Sequence, residues 1–475
     1  MLIAREKEIS ALLDAAKKED SQFIAVYGRR RVGKTYLIRE TFQNAFTFQH
    51  AGLAGGTRSA QLGAFANSLV RFGLSSFKKP NSWMDAFELL KDLIEKSPMP
   101  KKIIFLDELS WMDTPRSDLL MALESFWNGW AGGRKDVVLI VCASATSWMM
   151  DKVIHNKGGL YNRLNLQIHL RPFALADCEE YLKANGIIMN RQQILEGYMI
   201  MGGIPFYWSF LRGDLSMAQN IDTLFFSDAA PLKNEFDYLY ASLFKNPEPY
   251  LKIVTALGTK KAGMTRDEII KAAGIEASGD LTKKLENLEN SDFIRSYSAY
   301  GNKKKNTIYQ LIDNFTLFHF KFLAGKPSDE NYWTHQLDSN LRNAWCGLAF
   351  ERVCLQHLPQ MKQKLGISGV STETHSWTHK ADPEQGIKGS QIDLLIVRRD
   401  QVINLCEMKY SLAKYSLSKA DDEALRRKMD DFLRATKTKY ALRPTLVTTY
   451  GLDPGPYSGL IQSVITMEDL FRPLM

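Results

Sequence analysis

The sequence predicts a multidomain α/β protein, and three observations predict it. Short apolar, β-rich runs in FIAVYGRRRVGKT, KKIIFLDELSWMD and DVVLIVCASATSWM alternate with stretches of helical periodicity, the pattern of a parallel sheet covered by helices. From about residue 171 the apolar residues recur at helical spacing, with glycines closing the runs. Towards the C-terminus two further β-rich runs, QIDLLIVRRD and QVINLCEMKY, open a second α/β region. A length of 475 residues exceeds one ordinary domain, and 45% hydrophobic with 24% charged residues excludes a disordered chain.

Charge and composition narrow the classes further. A formal net charge of +8 favours an anionic partner such as nucleic acid, although plain solubility explains an excess of this size equally well. The opening MLIAREKEISALLDAAKKED puts charges where a signal peptide needs an apolar core, and no apolar run approaches the roughly 18 residues of a membrane span. The expectation is a cytoplasmic protein with no membrane partner. Cys142, Cys178, Cys346, Cys354 and Cys406 are scattered and mostly apolar in context, which reads as reduced core cysteines.

The first strand runs into a loop with a chemical purpose. FIAVYGRRRVGKT places Gly28 and then Gly33-Lys34-Thr35 in the pattern G-x-x-x-x-G-K-[ST], after a strand and before a helix. Glycines let backbone N–H groups curl around phosphate, so the loop residues Gly28, Arg29, Arg30, Arg31, Val32, Gly33, Lys34, Thr35 and Tyr36 are the candidate ATP contacts. Lys34 suits the β- and γ-phosphates, and Thr35 suits Mg²⁺. The second strand, KKIIFLDELSWMD, ends in Asp107 and Glu108. A buried parallel strand opens its ligand crevice at that end, so Asp107 is placed for the Mg²⁺ shell and Glu108 for polarising the attacking water. Glu108 and Lys34 are the expected catalytic pair.

The third strand, DVVLIVCASATSWM, ends in small hydroxylated residues. Ser144 reads either as a contact to the γ-phosphate or attacking water, or as an ordinary turn closing the strand. In NKGGLYNRLNLQIHL, Arg163 reads either as a γ-phosphate sensor, in cis or from a neighbouring copy, or as a surface arginine. Self-association or a protein partner therefore stays open.

The motifs GRRRVGKT, FLDELSWM, CASATSWM, GGLYNRL and GGIPFYW, in that order, resemble the AAA+-like "archaeal ATPase" family, related to the STAND-type regulatory NTPases. The resemblance spans roughly residues 1–230. It implies a P-loop NTPase core, a helical lid, ATP binding and Mg²⁺-dependent hydrolysis. GGIPFYW lacks an arginine where a lid sensor often sits, so lid sensing does not follow.

Beyond the lid, NPEP at 246–249 punctuates a new start. Short helices, a leucine-spaced helix at 281–288 and two β-rich runs around the basic tip GNKKKN predict a winged helix. Its second helix, DLTKKLENLEN, alternates lysine with glutamate and asparagine, which favours packing over reading DNA. AGKPSDENYWTH, residues 324–335, is the clearest later linker.

Residues 341–358 have helical spacing with Glu351 near the middle, and the two β-rich runs that follow predict a hairpin. Alternation places Asp393 near the start of one strand and Glu407 and Lys409 on one face of the next. Two carboxylates and a lysine that converge can hold Mg²⁺ and activate water; the same trio also reads as a surface ion pair. Arg426, Arg427 and Lys428 on the following charged helix read as phosphate contacts or a solvated face, and His375 and His379 as a polar loop.

Glu351, Ile392-Asp393 and Glu407-Met408-Lys409 resemble the PD-(D/E)XK nuclease superfamily, in the version that terminates archaeal-type ATPases. The resemblance implies a restriction-endonuclease-like domain in which Asp393 and Glu407 ligate Mg²⁺ or Mn²⁺, Glu351 is an accessory ligand and Lys409 positions water. The expected domains are 1–172 (P-loop core), 173–240 (lid), 241–325 (winged helix) and 326–475 (nuclease-like). The leading expectation is an ATPase whose nucleotide state controls a DNA-processing module. The alternatives are a regulatory switch with an inert nuclease fold, or a winged-helix DNA-binding regulator.

Overall fold

The computed structural model describes residues 2–244, 246–301, 307–325, 327–379 and 389–474. The chain divides into two compact units, Met1–Pro172 and Phe173–Met475.

The first unit is built on five parallel strands: β1 (Gln22–Tyr27), β2 (Phe48–Ala51), β3 (Lys102–Asp107), β4 (Val137–Ala143) and β5 (Leu166–His169). Their spatial order is β2-β3-β4-β1-β5. Strands covered on both faces need apolar side chains in both directions, which is why QFIAVY and VVLIVCA are continuous runs without alternation. Helices Arg58–Arg71, Trp83–Lys96 and Leu119–Gly129 place Phe65, Trp83, Phe87 and Phe126 in the same core cluster as Phe23, Ile104 and Leu139 of the sheet. The first two helices start at side-chain caps: Thr57 and Ser82 accept from the backbone N–H of Ala60 and Asp85. Because β4 lies between β1 and β3, the C-terminal ends of these three strands are neighbours.

The second unit opens with helices that include Leu175–Ala184, Arg191–Met201 and Glu235–Leu243. Helix Glu248–Gly258, β6 (Met264–Thr265), helices Arg266–Ala273 and Gly279–Asn290, β7 (Ile294–Ser298) and β8 (Thr307–Leu311) follow, with the strands antiparallel in the order β6-β8-β7. The expected lysine-rich tip, Lys303, Lys304 and Lys305, lies outside the described residues.

Helix Asn340–Gln356 leads into β9 (Thr372–His379), β10 (Ser390–Arg398) and β11 (Val402–Lys409). After helix Lys419–Thr436 come β12 (Ala441–Thr448) and β13 (Ser463–Thr466), giving a sheet ordered β13-β12-β11-β10-β9. β9, β10 and β11 pair antiparallel, whereas β11, β12 and β13 pair parallel. Joining β11 to a parallel neighbour requires a crossover, and helix Lys419–Thr436 supplies it. That helix buries Leu425 and Phe432 against Ile392, Leu395, Ile403 and Leu405.

Two expectations are corrected here. The linker at 324–335 is docked in its described part: Trp333 is buried, and the buried Asp222 accepts from the N–H groups of Trp333 (2.7 Å) and Thr334 (3.0 Å). Its polar composition concealed one large apolar anchor. His375 and His379 lie on β9 instead of a loop, because THSWTH alternates and pairs with β10.

Candidate functional site

In the first unit the loop after β1 turns back on itself. Gly28 sits at φ 141°, and a Cβ there would stand 2.3 Å from the carbonyl oxygen of Leu170, so only glycine fits. Arg31 (φ 70°) and Gly33 (φ 92°) both adopt left-handed backbone before helix Lys34–Thr41 begins. The loop therefore wraps around the N-terminus of that helix, where unpaired N–H groups favour an anion.

The buried Lys34 ammonium donates to the carbonyls of Gly28 (2.8 Å) and Arg29 (3.0 Å) and to the hydroxyl of Ser144 (3.1 Å). Thr35 Oγ1 donates to Asp107 Oδ2 at 2.7 Å, and the other carboxylate oxygen of Asp107 accepts from the Glu108 N–H at 3.0 Å. Glu108 sits at φ 47°, a strained turn at the end of β3 that aims its side chain at β4. There Ser144 holds it through both its N–H, 3.0 Å from Oε2, and its hydroxyl, which donates to Oε1. The two sequence readings of Ser144 are thus narrowed, since its hydroxyl bridges Lys34 and Glu108.

The remaining predicted nucleotide contacts divide by exposure. Arg29 and Val32 are buried, Arg30 and Arg31 are half-buried, and Tyr36 is exposed on helix Lys34–Thr41. Arg163 is exposed on the turn before β5 and is not joined to the Lys34, Asp107, Glu108 and Ser144 cluster by a hydrogen bond or ion pair among the described residues.

The second unit arranges its predicted residues differently. Register between β9 and β10 slips between Ile392 and Leu395, a β-bulge in β10. A bulge shifts side-chain alternation by one. Ile392 and Leu395 therefore both face helix Lys419–Thr436, while Asp393 faces the other way, into a pocket of about 300 Å³ that Glu351, Arg352, Ser376 and Thr378 also line. Glu407 and Lys409 face helix Lys419–Thr436 in a second pocket of about 140 Å³, also lined by Asp421 and Lys428.

The expected convergence of Asp393, Glu407 and Lys409 is accordingly corrected, because the bulge sends Asp393 to the opposite face. Glu407 is paired with Lys428 (2.7 Å) and Lys409 (3.3 Å), so Lys428 binds a carboxylate instead of facing phosphate. Burial opposes the Lys409 charge, yet Glu407 and the neighbouring Tyr415 and Asp421 outweigh it and raise its pKa. Arg426 is paired with Asp422 on its own helix, and Arg427 is exposed. Glu351 and Asp393 share Lys261, at 2.7 and 3.5 Å. Burial, with Asp393 alongside, raises the Glu351 pKa. Among the described residues no group of three or more histidine, cysteine or acidic side chains is placed to hold a metal ion.

Residues 2–208 match the family model described as an ATPase domain predominantly from Archaea. The chain carries an archaeal-type ATPase domain. An uncharacterized protein of Methanocaldococcus jannaschii is 25% identical over 423 residues, covering 86% of this chain and 88% of that protein. Among solved structures, the Walker-type ATPase PABY2304 of Pyrococcus abyssi superimposes with TM-score 0.47 at 18% identity, covering 66% of this chain and 95% of that one. The ORC2 protein of Aeropyrum pernix gives TM-score 0.42 at 13% identity, with coverages of 75% and 96%.

The ATPase domain's own residues fit Mg²⁺: a threonine hydroxyl and a carboxylate meet at 2.7 Å beside the loop, a hard-oxygen donor set. The C-terminal residues do not fit a shared ion at Asp393 and Glu407, since these face opposite sides of the sheet. Sequence reasoning missed Lys261, which carries no motif and meets Glu351 across 90 residues of chain.

Proposed function

We propose that the protein is a Mg²⁺-dependent ATPase acting as a nucleotide-governed switch. The observation that carries this reading is the meeting of Lys34, Thr35 with Asp107, and Ser144 with Glu108 at three neighbouring strand ends. Lys34 would exchange the carbonyls of Gly28 and Arg29 for the β- and γ-phosphate oxygens, joined by N–H groups of helix Lys34–Thr41. Arg30 and Arg31, half-buried in the same loop, add positive charge. Thr35 and Asp107 would hold Mg²⁺, which when bound neutralises phosphate charge. Glu108 is the base that orients and polarises the attacking water, and Ser144 fixes its carboxylate. Arg163 stays outside this set.

Steady-state ATP turnover and nucleotide binding of Glu108→Gln test this reading. Binding is expected to persist while kcat falls by about a hundredfold or more. An unchanged kcat would remove Glu108 from the mechanism.

For the second unit we propose a winged helix at 241–325 that packs instead of reading DNA, and a nuclease-like fold at 326–475 without an assembled cutting centre. The first part is supported by helix Gly279–Asn290, which buries Leu281, Leu285 and Leu288 and pairs Lys284 with Asp280. The second is supported by the helix, strand and hairpin order together with the separation of Asp393 from Glu407. DNA association weakening steeply with salt would favour a DNA-bound role for this unit.

A further inference from the structure

The turn that carries Glu108 is held from two sides. Towards β4, Ser144 holds the carboxylate, and Trp148 Nε1 donates to Asp113 at 2.9 Å. Towards β2, the loop that follows the strand does the holding. The Gly52 N–H extends the β2–β3 ladder by one residue, donating to the Asp107 carbonyl at 3.0 Å. A Cβ on Gly52 would stand 2.7 Å from the Glu108 carbonyl oxygen and 3.1 Å from side-chain atoms of Trp111 and Met112, so the loop lies directly against the turn.

Gln61, on helix Arg58–Arg71, is fully buried and joins the two. Its Oε1 accepts from the Leu53 N–H at 3.0 Å, and its Nε2 donates to the Leu53 carbonyl at 2.7 Å and to the Trp111 carbonyl at 2.9 Å. Both amide hydrogens are used, and the reversed amide would turn its oxygen on two carbonyls, so only this orientation satisfies the backbone around it. Trp111 lies in the four-residue helix Leu109–Met112, and its own N–H donates to the Glu108 carbonyl at 2.9 Å. One peptide unit therefore links the Gln61 amide to the residue at φ 47°, a left-handed backbone that a residue with a side chain keeps only where its surroundings hold it.

We propose that Gln61 is a positioning residue for ATP hydrolysis: it bolts the turn 108–112 to the loop after β2 and so keeps Glu108 in the backbone conformation that aims its carboxylate at Ser144 and the attacking water. This rests on the reading of Glu108 as the base. Ser144 fixes the carboxylate from the β4 side, and Gln61 with Gly52 fixes the backbone from the β2 side. The hydrogen bonds of the Gln61 amide go to the loop and the turn, and none to the phosphate loop or to the Thr35–Asp107 pair, so its removal acts on turnover and spares nucleotide binding.

The test is single-turnover ATP hydrolysis and ATP binding by the full chain, comparing wild type, Gln61→Leu, Glu108→Gln and the double variant. Gln61→Leu, which keeps the bulk and removes the amide, is expected to slow hydrolysis by about tenfold or more while ATP affinity stays within about twofold of wild type. In the Glu108→Gln background the same substitution is expected to change the rate by less than about twofold, because a residue that acts through Glu108 then has nothing left to position. Gly52→Ala, which presses on the Glu108 carbonyl from the same side, is expected to follow the same pattern, and it decides the matter if Gln61→Leu melts below the assay temperature. The proposal is overturned if Gln61→Leu, with a melting transition like that of wild type, hydrolyses ATP at the wild-type rate. It is equally overturned if the substitution slows hydrolysis by the same factor with and without Glu108. An unchanged rate in Glu108→Gln alone would remove the base assignment, and this proposal with it.

Discussion

The two α/β regions of this protein carry comparable sets of carboxylates and lysines and dispose of them in opposite ways. In the ATPase domain three neighbouring parallel strands end on the same edge, so residues at or just beyond the ends of β1, β3 and β4 meet without any side chain having to choose a face. In the C-terminal sheet the candidates lie along an antiparallel hairpin, where the face is decided by alternation, and one bulge in β10 is enough to reverse Asp393. A site assembled at strand ends tolerates local irregularity. A site assembled along strands does not.

This contrast can be broken at its strongest point first. Lys34→Ala removes three hydrogen bonds and the one buried ammonium in this cluster, and ATP affinity measured with a fluorescent analogue is expected to fall by about a hundredfold or more. Retained tight binding would mean that the loop is no phosphate cradle. Ser144→Ala leaves Glu108 with only the backbone N–H, so kcat is expected to fall by roughly tenfold with KM little changed. A rise in KM with kcat unchanged would make Ser144 a nucleotide contact alone.

In the second unit the expected effects are on stability. His357 is buried, its Nδ1 donating to the Val353 carbonyl (2.8 Å) and its Nε2 accepting from the Leu175 N–H (3.0 Å), so both nitrogens require the neutral ring. Burial lowers its pKa from 6.5 to about 4. A histidine whose folded pKa is depressed contributes stability that is full above about pH 6.5 and is lost as pH falls towards 4. Burial also lowers His50 and His319 to about 4, so the acid sensitivity is shared. His357→Gln, which can donate and accept in the same two directions, is expected to make the melting temperature less steep between pH 6.5 and 4, the window set by that shift. An unchanged slope would remove His357 from the acid response. Glu407→Gln is expected to be the mildest, about 1 kcal/mol or less in stability, because its lysine partners remain partly solvated.

What the sequence made legible follows from the same distinction. Asp107 and Glu108 were readable because they close β3, and Lys34 and Thr35 because they open a helix directly after a glycine loop, so in both cases a short contiguous motif fixes position and direction. The hairpin and the helix bearing Glu351 were readable from periodicity. The face of Asp393 was not, since a bulge adds one residue without leaving a glycine or proline to announce it in IDLL. Nor was Lys261, whose partners are set by tertiary packing, or the docking of Trp333 on Asp222 within a polar stretch.

The measurement that tests the contrast most directly is ATP turnover and Mg²⁺- or Mn²⁺-dependent DNA cleavage in the same preparations of wild type, Asp393→Ala and Glu407→Ala, on single-stranded, linear and supercoiled DNA. ATP hydrolysis is expected in all three, with no cutting that depends on either carboxylate. Cutting by wild type that both substitutions abolish would contradict it, because it would require the two residues to act together.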